Sequence, residues 1–324
     1  MDVPFTADRW TLPPEPVVHL GHERVRLAEG LSLVTGVELR DGWLEADLCV
    51  TADRGFPGVA WRVESPDDFE SFFVRPHQVG NPDAIQYTPV SNNISSWQLY
   101  HGPGFWAPVE FPIGDWFTIR VVFEGPRAEI FVGDLDEPAL TIRSLKRPVV
   151  AGGLGFNYGG IDTYVARFAY GDDPSFVRPL PPDELAVDGA ILDWEVSDAF
   201  PEGSIPPGPR TWTPLRAEPS GLLDISRVTG IVDDRNTVLV RTTIEAPRAE
   251  GRELEFGFSD RVAVHLNDRP LYRGNDSYRT RDYRFLGSIG YWDSLYLDLH
   301  EGPNELVFAV SEDFGGWGVQ ARLR

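Results

Sequence analysis

The sequence predicts an all-β chain folded as two β-sandwich domains in tandem, and three observations predict it. Short runs of alternating apolar and polar residues recur from end to end, parted by Gly, Pro, Asn and Asp, which is the period of strands with one buried face. No long segment repeats its apolar residues at the 3.6-residue spacing of a helix. The length of 324 residues exceeds what one hydrophobic core usually serves, while 42% apolar and 12% aromatic residues are enough to fill two.

The first set of strands reads as VELRDGWLEADLCV, GVAWRVE, ESFFVRP, AIQYTPV, WQLYHG, WFTIRVVFEG, AEIFVGD, GGLGFNYGG and TYVARFAYGD, which gives a first domain over 1–171. After Tyr170 the texture turns to prolines and acids, and 172–187 reads as a semi-rigid linker. The second set, over 188–324, reads as AILDWEVSDAF, GLLDISR, NTVLVRTTIEA, RELEFGFSD, VAVHLNDRPLY, SLYLDLH, NELVFAVSED and WGVQARLR. Asn267 and Asp268 between VAVHL and PLY are the residues a tight hairpin turn takes.

Charge and composition limit the partners. With 29 basic and 50 acidic residues the net charge is −21, a field that repels phosphate backbones and anionic lipid surfaces, so nucleic acid and membrane are not expected partners. No run approaches the ~20 apolar residues of a bilayer span. The start MDVPFTADRWTLPPEP has neither a basic beginning nor an apolar stretch, so a cytoplasmic location is expected of the chain as given, or a secreted one if a signal was removed. Cys49 is the one cysteine, set among apolar residues in EADLCVTA, and reads as an inert buried thiol. Oligomeric state is not readable.

Two resemblances add to this reading. GFPGVAWRVESPDDFESFFVRP, WFTIRVVFEGPRAEIFVGDLDEPAL, GGLGFNYGG and YVARFAYGD resemble the concanavalin A-like lectin and glucanase jelly roll, closest to its laminin-G-like and keto-glycoside hydrolase-like members, over roughly residues 20 to 171. VAVHLNDRPLYRG and LHEGPNELVFAV resemble the galactose-binding-like jelly roll that serves family 2 glycoside hydrolases as a sugar-binding domain, over roughly 188 to 324. The resemblance implies carbohydrate or another hydroxylated small molecule as partner; fold alone does not establish it.

The candidate site lies in FESFFVRPHQVGNPDAIQYTPVSNNISSWQLYHGPG. Strand alternation puts Phe73, Arg75 and His77 on one face and Phe72 and Val74 on the other, and likewise sets Ala60, Arg62 and Glu64 opposite Val59, Trp61 and Val63. Gln86 shares a face with Thr88, and Gln98 with Tyr100. A concave face carrying Arg62, Arg75, His77, Gln86, Gln98, Tyr100 and Asn157 suits a polyhydroxylated ligand, with Trp97 and Trp106 as platforms for sugar C–H faces. The same polar residues also fit an outer sheet face that meets only water.

Three functions follow: a carbohydrate-recognition protein, an enzyme acting on a glycoside with His77 and Arg75 in catalytic roles, or a structural or protein-interaction module. No paired-carboxylate strand motif of a glycosidase stands in the first domain. Glu64, Asp67, Asp68 and Glu70 are loop acids of the kind Ca²⁺ takes, and equally a solvated turn; no other cofactor or metal is expected. His19 and His22 lack a third ligand for zinc. In the second domain, Arg279, Arg281, Asp282, Tyr283 and Arg284 read as mutual ion pairs. Asp282, Glu312, Asp313 and Trp317 are a second cluster, where Gly315, Gly316 and Gly318 permit close backbone approach.

Overall fold

Alternating side chains on short segments leave each strand one apolar face to bury, and in the computed structural model the chain buries them as antiparallel sandwiches. The structure describes residues 1–181, 186–203, 209–282 and 286–324. Among these no α-helix forms, only two 3₁₀ turns at Pro76–Gln78 and Ile225–Arg227, and no helix is long and apolar enough to cross a membrane.

In chain order the strands are β1 (Glu15–His19), β2 (His22–Arg26), β3 (Gly30–Leu33), β4 (Gly42–Val50), β5 (Gly58–Ser65), β6 (Asp68–Val74), β7 (Ile85–Ser91), β8 (Ile94–Ser95), β9 (Trp106–Ala107), β10 (Phe117–Glu124), β11 (Arg127–Val132), β12 (Leu140–Ile142), β13 (Gly153–Tyr158) and β14 (Thr163–Gly171). They continue as β15 (Asp193–Ser197), β16 (Trp212–Arg216), β17 (Leu222–Asp224), β18 (Thr237–Ala246), β19 (Glu250–Ser259), β20 (Arg261–Leu266), β21 (Arg269–Asn275), β22 (Asp293–Leu299), β23 (Gly302–Ser311) and β24 (Gly318–Leu323).

Two compact units result: Met1–Val90 with Tyr100–Asp183, and Ser91–Leu99 with Glu184–Arg324. The contiguous division at 172–187 is thus altered by one short stretch, Ser91–Leu99, which belongs to the second unit. Part of the expected linker, 182–185, lies outside the described residues, as do Tyr283 and Arg284 of the expected ion-pair cluster.

In the first unit one sheet runs β1-β2-β14-β4-β10-β11-β12, and the other runs β3-β13-β5-β6-β7 with β9 also pairing with β7. Leu44, Leu48 and Ile119 from the first sheet and Trp61, Phe72 and Phe156 from the second share one core. Within that core Glu70 is fully buried; its Oε2 accepts from the Tyr87 hydroxyl at 2.7 Å and its Oε1 from the Arg147 backbone N–H at 3.1 Å. Burial holds its carboxyl above the usual range.

The second unit packs a sheet β16-β15-β18-β23-β20-β21 on a sheet β17-β24-β19-β22. Val240, Val264 and Phe308 from one and Leu254, Phe256 and Val319 from the other form its core. Asn267 and Asp268 take φ of 49° and 64° between β20 and β21, the left-handed pair a two-residue hairpin requires. The Asn267 amide bonds Asn304 Oδ1 at 2.9 Å, so the turn and the entry to β23 are tied together.

Two sequence expectations change. WQLYHG is not a strand: Leu99 N–H donates to Ser96 O at 3.1 Å and closes a turn. In β5 the alternation breaks at Arg62, which takes φ of 48° where the β5–β6 register shifts. The bulge turns Arg62 inward with Trp61, its guanidinium 5.4 Å from the Phe123 ring centroid, and sends Val63 to the Ala60 side.

Candidate functional site

The opening expectation placed seven polar side chains on one open face. Four of them are buried inside the protein instead. Arg62 is 1% exposed and donates to Arg40 O at 2.7 Å, Gly125 O at 2.7 Å and Asp41 Oδ1 at 3.2 Å. Arg75 donates to Asp83 O at 2.6 Å and to Gln86 Oε1, and lies over the Phe73 ring at 4.9 Å. Gln86 passes the chain on to Tyr100 O at 2.7 Å. Tyr100 is buried against Phe105 at 5.4 Å.

His77, which the turn after β6 carries, keeps a half-buried ring edge-on to Phe56 at 5.7 Å, and its buried Nδ1 has no hydrogen-bond partner. Burial, with Arg54 and Arg75 nearby, lowers its basicity, so the neutral imidazole is favoured. Asn157 on β13 bonds Ser71 Oγ at 2.9 Å across β5. The structure therefore brings Arg75, His77 and Gln86 together around Phe56 and Phe73, and corrects the face assignment of Arg62, Gln86 and Tyr100, which are packed in, not presented.

Trp97 and Gln98 belong to the second unit. Gln98 uses every polar group it has: N–H to Gly315 O at 2.8 Å, O from Ile289 N–H at 3.0 Å, Nε2 to Leu286 O at 2.7 Å, Oε1 from Ser259 Oγ at 3.2 Å. It fastens a loop with its backbone and its amide. That loop, 312–316 after β23, can lie so close because Gly315 and Gly316 take φ of 108° and 137°, and a Cβ on Gly315 would collide with the Gln98 amide.

The fastened loop forms one wall of a cleft of about 390 Å³ lined by Glu312, Asp313, Phe314 and Gly315 on one side and Asn92, Asn93, Ile94, Ser95 and Ile231 on the other. Asn92 and Asn93 hold φ of 49° and 62° in the turn that leads into β8, and Asn92 Nδ2 is tied to Ser226 O at 2.7 Å. Phe314 is 58% exposed at the rim, 5.7 Å from Trp97 and 6.3 Å from Tyr278, and these two rings stand edge to face at 6.2 Å. An exposed ring held by two others is a stiff apolar platform.

Beneath the loop stand two buried carboxyls. Asp260 Oδ2 accepts from the backbone N–H groups of Asp313 at 2.9 Å and Phe314 at 3.2 Å, and Glu312 Oε1 from Gly316 N–H at 2.9 Å. Their other oxygens, Asp260 Oδ1 and Glu312 Oε2, have no partner. Burial raises both, helped by the charge of Asp313 at Asp260 and by Asp260 at Glu312, which lies well above the carboxylate range. Arg261 grips Asp313 at 2.5 and 2.8 Å and Glu202 at 2.7 and 2.8 Å, which keeps both of those ionised.

No protein-family model and no curated protein matches the sequence. Among solved structures the chain is similar to the carbohydrate-binding module CBM66 from Bacillus subtilis, at 13% identity and a TM-score of 0.35 over 49% of this chain and 91% of that one. It is similar to a putative glycosyl hydrolase from Parabacteroides distasonis at 13% identity and 0.36, over 51% and 88% of the two chains. A third is the galectin LEC-6 of Caenorhabditis elegans, at 15% identity and 0.31, over 51% and 98%.

Sequence reasoning had grouped Glu312 and Asp313 with Asp282 and Trp317. The first two line the cleft and the others do not: Trp317 is fully buried, with Nε1 donating to Val310 O at 3.1 Å. Phe314 and Asn93 were missed; the available signal was an aromatic between acids and two glycines in SEDFGG, and an Asn pair in VSNNIS. Elsewhere, the loop acids Glu64 and Asp68 are bridged by Arg147 at 2.6 and 2.9 Å, and Glu70 points into the core. Among the described residues no group of three or more His, Cys, Asp or Glu side chains is placed to hold a metal ion. Cys49 is buried and lies 3.3 Å from His19 Nε2.

Proposed function

We propose that the chain is a carbohydrate-recognition protein and that its site is the cleft of the second unit. One observation carries the reading: an exposed ring, Phe314, lines a cleft together with the amides of Asn92 and Asn93, the Ser95 hydroxyl and the carboxyls of Glu312 and Asp313, beside Ile94 and Ile231. A pyranose has an apolar C–H face and a girdle of hydroxyls, and this is the complement it needs. The N-terminal face is set aside because Arg62, Arg75 and Gln86 already bond one another or the backbone.

The test is isothermal titration of the full chain with a panel of neutral and charged oligosaccharides, beside Phe314→Ala. Covering roughly 60 Å² of ring stabilises a complex by about 1.5 kcal/mol, so the variant is expected to weaken binding about tenfold while its circular dichroism is unchanged. Heat of binding that Phe314→Ala leaves intact moves the site elsewhere. An absence of binding across the panel sinks the reading, and a new product mass in the same mixtures turns it towards an enzyme.

A further inference from the structure

Resting on the reading just given, we infer that the glycan of this cleft is cationic: a sugar bearing a protonated amino group, taken by Glu312 and Asp313 while its ring lies on Phe314. Three independent features point to it. The first is the sign of the walls. Among the described residues, the charged side chains lining the cleft, Glu312 and Asp313, are both acids. Behind them lie Asp260 and Glu202, and the guanidinium of Arg261 is shared between Asp313 and Glu202. Two ionised acids share that one guanidinium, and the chain as a whole carries −21, so the surroundings disfavour uronates, sulfates and phosphates and favour a cation.

The second is the unused oxygen. Glu312 is 1% exposed, lines the cleft, and its Oε2 accepts no hydrogen bond. A buried oxygen without a hydrogen-bond partner is destabilising, so a polar group that reaches it from the cleft is favoured. A sugar hydroxyl can donate, but an ammonium donates and carries the opposite charge, and a charge-assisted bond is about twice as strong.

The third is the ring. Aromatic faces are negative and hold cations, and this cluster already does so: the Arg279 guanidinium lies 4.9 Å from the Tyr278 centroid. The exposed Phe314 face stands beside it, 6.3 Å from Tyr278.

The proton balance follows from the groups around Glu312, namely Asp260, Asp313 and Arg261. In the empty cleft, burial and the neighbouring acids hold the Glu312 carboxyl well above the usual carboxylate range, which favours its neutral form. An arriving ammonium pairs with the carboxylate and that proton leaves to solvent, so no other reactant is needed. Affinity for the amine ligand therefore climbs as rising pH makes the Glu312 proton easier to release, up to the point at which the ligand's own amine deprotonates.

The experiment is titration calorimetry of the full chain with three trimers of one backbone: β-1,4-glucosamine, its N-acetylated form and the plain glucose trimer. A fourth titrant is CaCl₂ alone. The glucosamine trimer is expected to bind at least tenfold tighter than the glucose trimer at pH 6.5. The gap is expected to narrow in 0.5 M NaCl and to shrink at pH 5, with proton release visible in buffers of different ionisation enthalpy. Glu312→Gln, which keeps an acceptor for Gly316 N–H, is expected to remove the preference. Should that variant unfold by circular dichroism, Asp313→Asn, at a half-exposed position, reads out the same loss. Equal or tighter binding of the glucose or N-acetylated trimer overturns the cationic assignment and leaves carbohydrate recognition standing. Failure of all three sugars overturns both. Tight Ca²⁺ binding that depends on Glu312, without sugar binding, makes the pair of carboxyls a metal site and overturns the inference in that direction.

Discussion

Asp276 is 2% exposed at the end of the β21 segment, with Arg281 Nε 3.1 Å from its Oδ1, and burial pushes its carboxyl up to about 6 in spite of that guanidinium. The sign is fixed by which state holds more protons. Between about pH 4 and pH 6 the folded chain keeps a proton on Asp276 that the unfolded chain has released, so its contribution is fully present at the acid end and is lost as pH rises through about 6. Asp260, Glu312 and Glu70 are raised in the same sense. Asp313 and Glu202, lowered by Arg261, work the other way but only at more acid pH. Urea unfolding is therefore expected to show less stability at pH 7 than at pH 5, with about 1.3 kcal/mol of the difference due to Asp276 and absent from Asp276→Asn. A flat profile in the parent chain would place these carboxyls in contact with water. At this scale the sequence was partly legible: acids and glycines in SEDFGG marked the loop that lines the cleft, but which carboxyl is buried depends on its neighbours from β20 and on 91–99, and no local pattern encodes that.

The strands carry their information in alternation, and alternation was read correctly wherever the ladder is regular. Phe72 and Val74 are in the core while Arg75 stands over Phe73, as period two requires. It failed at the β5 bulge, where Arg62 turns inward, and in WQLYHG, where an apolar alternation belongs to a turn fastened by Gln98. The β1–β2 hairpin escaped notice because EPVVH and HERVR bury little on either face. Glycines inside strands mark where neighbours approach most closely. Gly155 in β13 sits opposite Leu33 of β3 and Ala60 of β5, and a Cβ there would overlap the Ser32 carbonyl oxygen. Gly155→Ala is expected to cost about 2–4 kcal/mol and to lower the thermal midpoint by several degrees, since backbone on a neighbouring strand must move. The control is Gly251→Ala in β19, where nothing stands within 4 Å; scanning calorimetry that ranks the two equally would refute the packing argument.

Over the whole chain the net charge of −21 sets a background that every local interaction shares. The ion pairs spread over both units, such as Arg120 with Glu45 and Arg322 with Glu255, place scarce cations against acids and leave most acids facing water. Self-repulsion of this kind is screened by salt, whose Debye length falls to about 8 Å at physiological ionic strength. Raising NaCl from 20 to 300 mM is expected to lift the thermal midpoint by about 2–5 °C; a midpoint that falls instead would mean the ion pairs outweigh the repulsion. The all-β class was legible because periodicity is a global average. The assignment of Ser91–Leu99 was not, because it rests on contacts far along the chain: Asn92 with Ser226, Gln98 with Ser259, Leu286 and Gly315.

That short stretch has a consequence for how the molecule comes into being. During synthesis Asn92 to Ser95 leave the ribosome long before the strands that enclose Ile94 and the loop that Gln98 fastens, so one wall of the cleft must wait, uncovered, for the other. A fragment begun at residue 184 would inherit the loop 312–316 without the amide that fastens it and without half the lining of the cleft. The second unit is therefore not heritable as a cassette: recombination or proteolysis between residues 99 and 184 separates the two walls of the cleft.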